Sequence, residues 1–172
     1  MPAPGCRIWT YDNAKPSGSA VIVRGDRFLA VRRAQAPALG RWDLPGGFCD
    51  SREHPADAAV RETSEETGLN IHLGPLIGTY LGDYAWQGDT YTTLNAYYLA
   101  SLADLGAEPQ LSTETTDTAW LPLAAARGLA FEHQTAMITD AAQLLRAGRS
   151  GEIRRSSHPD GNPRSSLSGR PS

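Results

Sequence analysis

The chain has 172 residues, of which 40% are hydrophobic, and a formal net charge of −3. This length and composition predict one domain with a real core, and the nearly balanced charge argues against a dedicated nucleic-acid-binding protein, which normally has a basic surplus. No apolar run is long enough to span a bilayer, the first residues lack a signal-peptide pattern, and two cysteines cannot form a disulfide framework. We therefore expect a cytoplasmic protein with no membrane segment.

The body of the chain alternates strand-like and helix-like patterns. Residues 19–23 and 27–33 flank the turn sequence RGD and predict a β-hairpin. Further strands are predicted at 75–81, 90–100 and 118–123, where apolar, β-branched and aromatic residues are concentrated. We expect these strands to lie together in a mixed sheet.

Two helices are predicted. The first runs from Pro55, which suits the first helical position, to Thr67, with Gly68 as the C-terminal stop. The second covers residues 132–147, has an apolar stripe on one side and ends before Gly148. Strands mixed with two helices favour an α/β or α+β sandwich in which helices cover a mixed sheet.

The last segment, residues 148–172, differs from the rest in composition. It contains five arginines and two acidic residues, and its only sizeable apolar side chains are Ile153 and Leu167. Such a segment cannot bury enough apolar surface to offset its ordering entropy, so we predict that it is a disordered tail. The alternative is a basic arm that contacts an anionic partner. The folded domain is then expected at residues 14–147, after an N-terminal extension at 1–13.

Three glutamates, Glu62, Glu65 and Glu66, lie within five positions of the first predicted helix. At about 100° per residue they fall within one arc of the helix. A second arc carries small, mostly apolar side chains and consists of Ala56, Ala59, Val60 and Thr63. Acids at this spacing repel one another and oppose the helix macrodipole near the C-terminus. The cluster is either a solvated acidic face or a site for a cation, since a divalent metal would reverse both penalties.

The sequence just before this helix favours the cation. Gly46 and Gly47 form a turn whose backbone can approach a ligand closely. Glu53 follows, between the turn and the helix. A glycine turn, an acid and a helix with three acids could place several oxygens around one small volume.

These residues resemble a known signature, the Nudix box. Gly47, five residues, Glu53, seven residues and the run RETSEETGL at 61–69 match it at every charged and glycine position. The departure is Thr63, where the family usually has a larger aliphatic residue, and this concerns packing rather than chemistry. The resemblance covers about residues 14–147 and is closest to the branch of ADP-ribose and NADH pyrophosphatases.

The resemblance implies an α/β fold, specifically an α/β/α sandwich around a mixed β-sheet. It also implies an enzyme that uses Mg²⁺ or Mn²⁺ to hydrolyse the diphosphate of a nucleoside diphosphate derivative and releases a nucleoside monophosphate. ADP-ribose or an NADH-like dinucleotide is the first candidate substrate, and an oxidised nucleoside triphosphate is the alternative. A non-catalytic domain that senses nucleotides is a third option. Family members are often homodimers, and neither a membrane nor a nucleic acid is expected as a partner.

Roles for individual residues follow from the same resemblance. The expected metal ligands are the Gly47 carbonyl, Glu53, Glu62, Glu65 and Glu66. Arg61 is expected to orient these acids. The general base is either a box glutamate, with Glu62 and Glu65 as candidates, or Glu114, which lies on a loop before the last strand. The alternative for Glu114 is an ordinary solvated loop acid.

Several residues outside the box are candidates for binding substrate. Arg32 and Arg33 alternate on a predicted strand, so only one of them can face a cleft and contact phosphate. Trp42 could stack on a base, or it could pack in the core. His54 is predicted to cap the first helix, and His133 could touch substrate, although a histidine at a helix start is usually structural. Further candidates for stacking on a base are Tyr80, Tyr84, Trp86 and Tyr91.

Overall fold

A mixed β-sheet forms the centre of the structure, a computed structural model that describes residues 13–125 and 128–156. The elements in chain order are β1 (Lys15–Arg24), β2 (Arg27–Arg33), β3 (Trp42–Asp43), β4 (Gly46–Phe48), α1 (Pro55–Thr67), β5 (Ile71–Trp86), β6 (Asp89–Leu102), β7 (Thr115–Pro122), a 3₁₀ turn (Leu123–Ala125) and α2 (His133–Ser156).

The strand β1 organises the sheet. On one side it pairs in parallel with β6, and on the other side it pairs antiparallel with β4 near its start and with β2 at its end. The strands β3 and β7 extend the sheet from β2, while β5 lies outside β6. The mixed sheet and the hairpin at residues 19–33 are therefore confirmed.

The long hairpin of β5 and β6 exceeds the strands predicted at 75–81 and 90–100. Antiparallel pairing continues from Ile71 opposite Leu102 to Trp86 opposite Asp89. The outer part of this hairpin is rich in Gly, Asp and Thr, and its low apolar content gives no strand signal in the sequence. The strands continue there because backbone hydrogen bonds pair β5 with β6. Similarly, β7 starts at Thr115 because its first residues pair with the end of β2.

The helix α1 has the predicted bounds. The His54 side chain accepts a hydrogen bond from the Ala56 N–H as the N-cap, and Gly68 ends the helix at φ 68°. The apolar arc differs in part from the prediction, because Val60 is 39% exposed whereas Ala58 is fully buried. Thr63 is also fully buried, and its hydroxyl donates to the Ala59 carbonyl at 2.7 Å, so the polar group is satisfied within the helix.

Close contact between α1 and β1 fixes the position of this helix. A Cβ added at Gly18 would collide with the Pro55 carbonyl and lie 3.0 Å from the Ala59 nitrogen. Glycine at position 18 thus lets the first turn of α1 rest directly on the strand. Since Gly18, Ala20 and Ile22 alternate along β1, α1 covers their face of the sheet.

The helix α2 covers the opposite face. Met137, Ile138 and Ala141 on α2 form a buried cluster with residues that include Val21 of β1 and Tyr97 of β6. Residues that alternate with these on the strands, such as Ala20 and Ile22, belong to a second cluster on the other face. This arrangement is the predicted α/β/α sandwich.

The C-terminal boundary differs from the prediction. The helix α2 passes through Gly148 and continues to Ser156, because a glycine lowers helix propensity without breaking the backbone hydrogen-bond pattern. The remainder of the predicted tail, residues 157–172, lies outside the described residues, as does most of the predicted N-terminal extension, residues 1–12. Within the described part of the chain, no helix combines the length and hydropathy that a bilayer crossing requires.

Candidate active site

A cavity of about 410 Å³ opens beside the junction of β4 and α1. One side, here called the acid wall, consists of Gly46, Gly47, Glu62, Glu65 and Glu66. The facing side, here called the aromatic wall, consists of Tyr84, Asn95, Tyr97, Phe131 and His133. Glu114, Asp43 and Arg33 also line the cavity. The volume lies in the range of sites for small organic ligands.

The acid wall depends on Arg61 at its back. The Arg61 guanidinium makes two parallel hydrogen bonds to Glu53, from Nε and Nη2, each at 2.8 Å. Its Nη1 donates to Glu62 at 2.8 Å and to Glu65 at 3.0 Å. These contacts raise the pKa of Arg61 above its ordinary value. The hydrogen bonds that Glu53 accepts from Arg61 and from the Asp50 N–H lower the pKa of Glu53 to about 2. The repulsion among the acids is therefore partly offset by an internal cation.

Glu66 does not contact this arginine. Its Oε2 accepts a hydrogen bond from the Gly46 N–H at 3.1 Å. Burial, and then the nearby charges of Asp43, Glu62 and Glu114, raise the pKa of Glu66 to about 8. Burial and the charges of Glu65 and Glu114 also raise the pKa of Glu62, against the lowering effect of Arg61. The single positive charge of Arg61 therefore does not balance all the acidic groups of the acid wall.

Gly47 lies directly against the Glu62 carboxylate. A Cβ added at this glycine would collide with the Glu62 carboxylate oxygens. Any side chain at position 47 would therefore displace the acid, which explains in steric terms why glycine is required there. The backbone of β4 and the carboxylate of α1 are close enough to act on the same small ligand.

Glu65 and Glu53 have different environments from Glu62 and Glu66. The Glu65 side chain is 59% exposed and lines the cavity at its rim. Glu53 is held behind the wall by Arg61 and does not line the cavity. Among the described residues, no three His, Cys, Asp or Glu side chains are already spaced as a metal site. Nevertheless, the clustered oxygens and the raised pKa values of Glu62 and Glu66 suit a hard divalent cation, which would stabilise their charged forms.

The aromatic wall is held by a hydrogen-bond network on β5, β6 and α2. Asn95 donates from Nδ2 to the Tyr80 carbonyl at 3.1 Å and to Thr93 Oγ1 at 2.9 Å. The hydroxyl of Tyr97 contacts His133 Nε2 at 2.9 Å. Burial lowers the pKa of His133 and raises that of Tyr97, so both rings are neutral near pH 7.

Arg33 faces the cavity, and Arg32 does not. Arg33 donates from Nη1 to Asp43 Oδ2 at 2.8 Å and from Nε to the Pro37 carbonyl at 2.7 Å. Arg32 is exposed on the other side of β2, where its guanidinium lies 5.0 Å from the centre of the Trp42 ring. Trp42 is partly buried against the core and is absent from the cavity lining. Of the alternatives left open by the sequence, Arg33 is the arginine that lines the cavity, because strand alternation turns Arg32 away, and Trp42 packs against the core. Substrate binding by Arg32 or Trp42 has no support from this cavity.

Glu114 lies at the cavity, as predicted from its loop position. It follows Ser112, whose Oγ accepts a hydrogen bond from the Glu114 N–H at 3.1 Å. The Glu114 carbonyl accepts from the Ala34 N–H at 2.9 Å, which ties the loop to the end of β2. These bonds fix the backbone on which the Glu114 side chain approaches Glu62 and Glu66.

Sequence reasoning missed many of the cavity residues, among them Asp43, Asn95, Phe131 and Gln134. Gln134 is buried and donates from Nε2 to Asp43 Oδ1 at 2.6 Å. Polar residues at Asp43 and Asn95 within otherwise apolar strands were a usable signal, because a buried polar side chain needs a partner. Phe131 and Gln134 gave no comparable signal. Tyr84 lies on the cavity as one of the predicted stacking residues, with its ring 6.1 Å from that of Phe131.

The fold and the acid wall together define a class of protein. The chain matches the NUDIX domain over residues 14–143, and it belongs to that family. It is 33% identical over 150 residues to the CMP-5'-(N-acetyl-N-hydroxy-3-aminopropyl)phosphonate hydrolase of Streptomyces rubellomurinus, which covers 85% of this chain. The chain spans only 64% of the length of that relative.

Two other similar proteins differ in the ligands that their names give. A Mycobacterium tuberculosis protein with the provisional name 8-oxo-dGTP diphosphatase 2 is 35% identical over 115 residues, which is 60% of this chain and 78% of that protein. The NUDIX domain of Shewanella oneidensis NrtR, solved in complex with ADP ribose, is 25% identical with a TM-score of 0.62, over 78% of this chain and 90% of that one. The family is thus established, and the ligand class differs among the relatives.

Proposed function

We propose that the protein is a Nudix hydrolase that uses Mg²⁺ to cleave the diphosphate of a nucleoside diphosphate derivative, such as ADP-ribose or an NADH-like dinucleotide, and releases a nucleoside monophosphate. The observation that carries this proposal is the position of the acid wall opposite an aromatic wall across one cavity. Carboxylates suit the cation that accompanies a diphosphate, and aromatic rings suit a nucleoside.

The residues that would hold Mg²⁺ are Glu62, Glu66 and the Gly47 carbonyl, with Glu65 at the cavity rim and Glu53 behind the wall. When bound, the metal neutralises diphosphate charge and lowers the pKa of a bound water. Arg61 keeps Glu53, Glu62 and Glu65 in place through four hydrogen bonds, and a fifth goes to the Phe48 carbonyl. This arginine therefore maintains the wall before and after the cation binds.

Glu114 is proposed as the general base. Glu114 lines the cavity with Glu62 and Glu66 and comes from the loop before β7. It has none of the arginine contacts that hold Glu62 and Glu65. A carboxylate that is not engaged by Arg61 is better placed to accept a proton from an attacking water. Glu65 remains the alternative base, since it also reaches the cavity rim.

Arg33, Asn95 and His133 are proposed to position substrate. Arg33 brings a guanidinium to the cavity while Asp43 balances its charge. Asn95 and His133 offer polar edges beside the rings of Tyr84 and Phe131. An oxidised nucleoside triphosphate is the second candidate substrate, because one relative is named for 8-oxo-dGTP.

A substrate panel tests the proposal. Purified protein is incubated with ADP-ribose, NADH and 8-oxo-dGTP in Mg²⁺ or Mn²⁺, and the released nucleoside monophosphate is measured by chromatography. We expect turnover of the first two substrates, and none when a chelator removes the metal. Turnover of 8-oxo-dGTP alone would select the second candidate. Binding of the nucleotides without any product would instead show a sensor domain.

A further inference from the structure

A second recess adjoins the cavity at the outer end of the β5–β6 hairpin. This outer recess has a volume of about 450 Å³ and is lined by Lys15, Phe48, Tyr84, Trp86 and Tyr91. Its position follows from the sheet, because β1 starts at Lys15, opposite Thr93 of β6. Among the described residues, the part of the hairpin beyond Thr93 therefore has no strand paired with β6 on the side of β1.

The outer recess and the aromatic wall lie on the same face of the hairpin. Tyr84 pairs with Tyr91, Gly82 with Thr93, and Tyr80 with Asn95. Directly paired residues point to the same face, and so do residues two apart along a strand. The face that supplies Asn95 and Tyr97 to the cavity thus continues outward through Tyr91, without a change of side.

Phe48 and Tyr84 form the partition between the two spaces. Both residues line the cavity and the outer recess, and their rings meet edge to face with centroids 5.1 Å apart. Beyond the partition, the Trp86 ring lies 6.5 Å from that of Tyr84. Trp86 remains 40% exposed and Phe48 38% exposed. Large aromatic surfaces left open beside a ligand cavity are typical of a binding surface rather than of packing.

We propose that the outer recess binds a second flat ring of the substrate, the one attached through the far side of the diphosphate. This inference rests on the proposed function, since it assumes that the diphosphate occupies the neighbouring cavity. Both spaces border Phe48 and Tyr84, so one extended ligand can fill them together. The substrate class is then a dinucleotide with two ring systems, in preference to a diphosphate with a single base.

The positive charge of Lys15 at the outer recess favours an uncharged substrate ring over a cationic one. The Lys15 ammonium lies 4.9 Å from the centre of the Tyr91 ring and already supplies a cation to that ring. A second cation at the same place would be repelled by Lys15. The outer recess therefore suits an uncharged ring, such as a reduced nicotinamide, better than a cationic one.

NADH and ADP-ribose form a matched pair for the test. They share adenosine, diphosphate and the second ribose, and NADH adds the reduced nicotinamide ring. In the Trp86→Ala variant we expect the ratio of kcat/KM for NADH over ADP-ribose to fall about tenfold, mainly through KM, because stacking of the added ring is lost. The Trp86→Phe variant keeps an aromatic ring and is expected to retain most of the ratio. The wild-type protein is expected to prefer NADH over NAD⁺.

Leu81→Ala is the control for effects on the hairpin. Leu81 is 66% exposed and alternates with Tyr80 and Gly82, so it lies on the opposite face of β5. This variant should keep the wild-type ratio. An equal loss with both substrates in Trp86→Ala, no loss with either, or a wild-type preference for NAD⁺ would overturn the proposal.

Calorimetric binding of NADH and ADP-ribose is measured beside turnover, so that the two proposals can fail separately. The wild-type protein could hydrolyse neither ligand yet bind NADH more tightly than ADP-ribose, with the difference in affinity removed by Trp86→Ala. That result would support ring binding in the outer recess and contradict the proposed hydrolysis. If both ligands are hydrolysed and the ratio of kcat/KM for NADH over ADP-ribose is the same in the wild type and in Trp86→Ala, the proposed hydrolysis is supported and the role of the outer recess is contradicted. If neither ligand is bound or hydrolysed, both proposals fail.

Discussion

The acid wall and the aromatic wall face each other across one cavity but are built in different ways. The acid wall comes from residues 46–66, a continuous segment in which a glycine turn leads into one helix. The aromatic wall combines β5, β6 and the start of α2, so its residues come from 84 to 133 in the chain. The glutamates of the first wall are thus arranged by one helix, although β4 is placed by its pairing with β1, whereas long-range pairing sets most of the second wall.

The walls also differ in how their polar groups are balanced. The Arg61 guanidinium holds two carboxylates of the acid wall, Glu62 and Glu65, together with Glu53 behind it, and Glu66 accepts from one backbone donor. In the aromatic wall Asn95, Tyr97 and His133 each have a hydrogen-bond partner within the protein. The acid wall consequently has carboxylates that the proposed cation would neutralise, and the aromatic wall is already hydrogen-bonded within the protein. Changes in the two walls should therefore affect different kinetic constants.

The largest expected effect is at Glu66. Glu66→Gln removes the charge of an acid that the proposal assigns to the metal, and we expect kcat to fall roughly 10²- to 10³-fold, as is usual when a preorganised charged group is lost from a reaction centre. Steady-state turnover of the preferred substrate measures this. Glu108→Gln is the matched control, since Glu108 is an exposed surface acid paired with Arg24. Unchanged turnover in Glu66→Gln would remove the metal assignment.

A smaller loss, of about 10²-fold in kcat, is expected for Glu114→Gln, because a general base contributes roughly 10²- to 10⁴-fold. The same measurement applies to Glu65→Gln, and the variant with the larger fall in kcat identifies the base. Asp117→Asn is the control, as Asp117 is a nearby acid that does not line the cavity. A loss in KM alone at Glu114 would contradict its role as a base.

Gly47→Ala tests the contact within the acid wall. The new methyl group would push the Glu62 carboxylate away, and we expect kcat/KM to fall by about 10- to 100-fold, since misplacement of a reacting group by about 1 Å has effects of this size. Gly148→Ala is the control, because a Cβ at that glycine would meet no atom within 4 Å. Circular dichroism of both variants checks the fold. Full activity in Gly47→Ala would show that the close contact is dispensable.

The aromatic wall should respond through KM. His133→Phe keeps a ring against Phe131 and Tyr80 but loses the contact between Nε2 and the Tyr97 hydroxyl. We expect KM to rise about three- to tenfold with little change in kcat, which corresponds to the loss of one hydrogen bond. If kcat falls as much as in the acid-wall variants, the distinction between the two walls is wrong.

The smallest expected effect is on stability. The pKa of Glu66 is about 8 in the folded protein against an ordinary value of 4.5, so between these pH values the folded state holds a proton that the unfolded chain has lost. The free energy of unfolding of the metal-free protein should therefore decrease as pH rises from about 4.5 to 8. Urea denaturation at several pH values, in a chelator, measures the slope. Glu66→Gln should flatten it, whereas Glu108→Gln should not; equal slopes in all three proteins would contradict the raised pKa.

Most of the fold was predictable because its signals are local. Pro55 and Gly68 mark the ends of α1, and the apolar runs of β1 and β2 with a turn between them mark a hairpin. The length of the β5–β6 hairpin was not predictable, since its outer residues are strands only through their cross-strand partners. The end of α2 was also misplaced, because Gly148 was interpreted as a stop although the helix continues.

The sequence by itself determined the cluster of Arg61, Glu62 and Glu66, since helix periodicity fixes their relative positions, whereas Gly47 reaches them through the pairing of β4 with β1. Only the tertiary structure decided what faces those acids. It turned Arg33 toward the cavity, left Arg32 and Trp42 outside it, and placed Trp86 at the outer recess. Strand pairing and the docking of α2 govern these positions, and both depend on contacts between residues far apart in the chain.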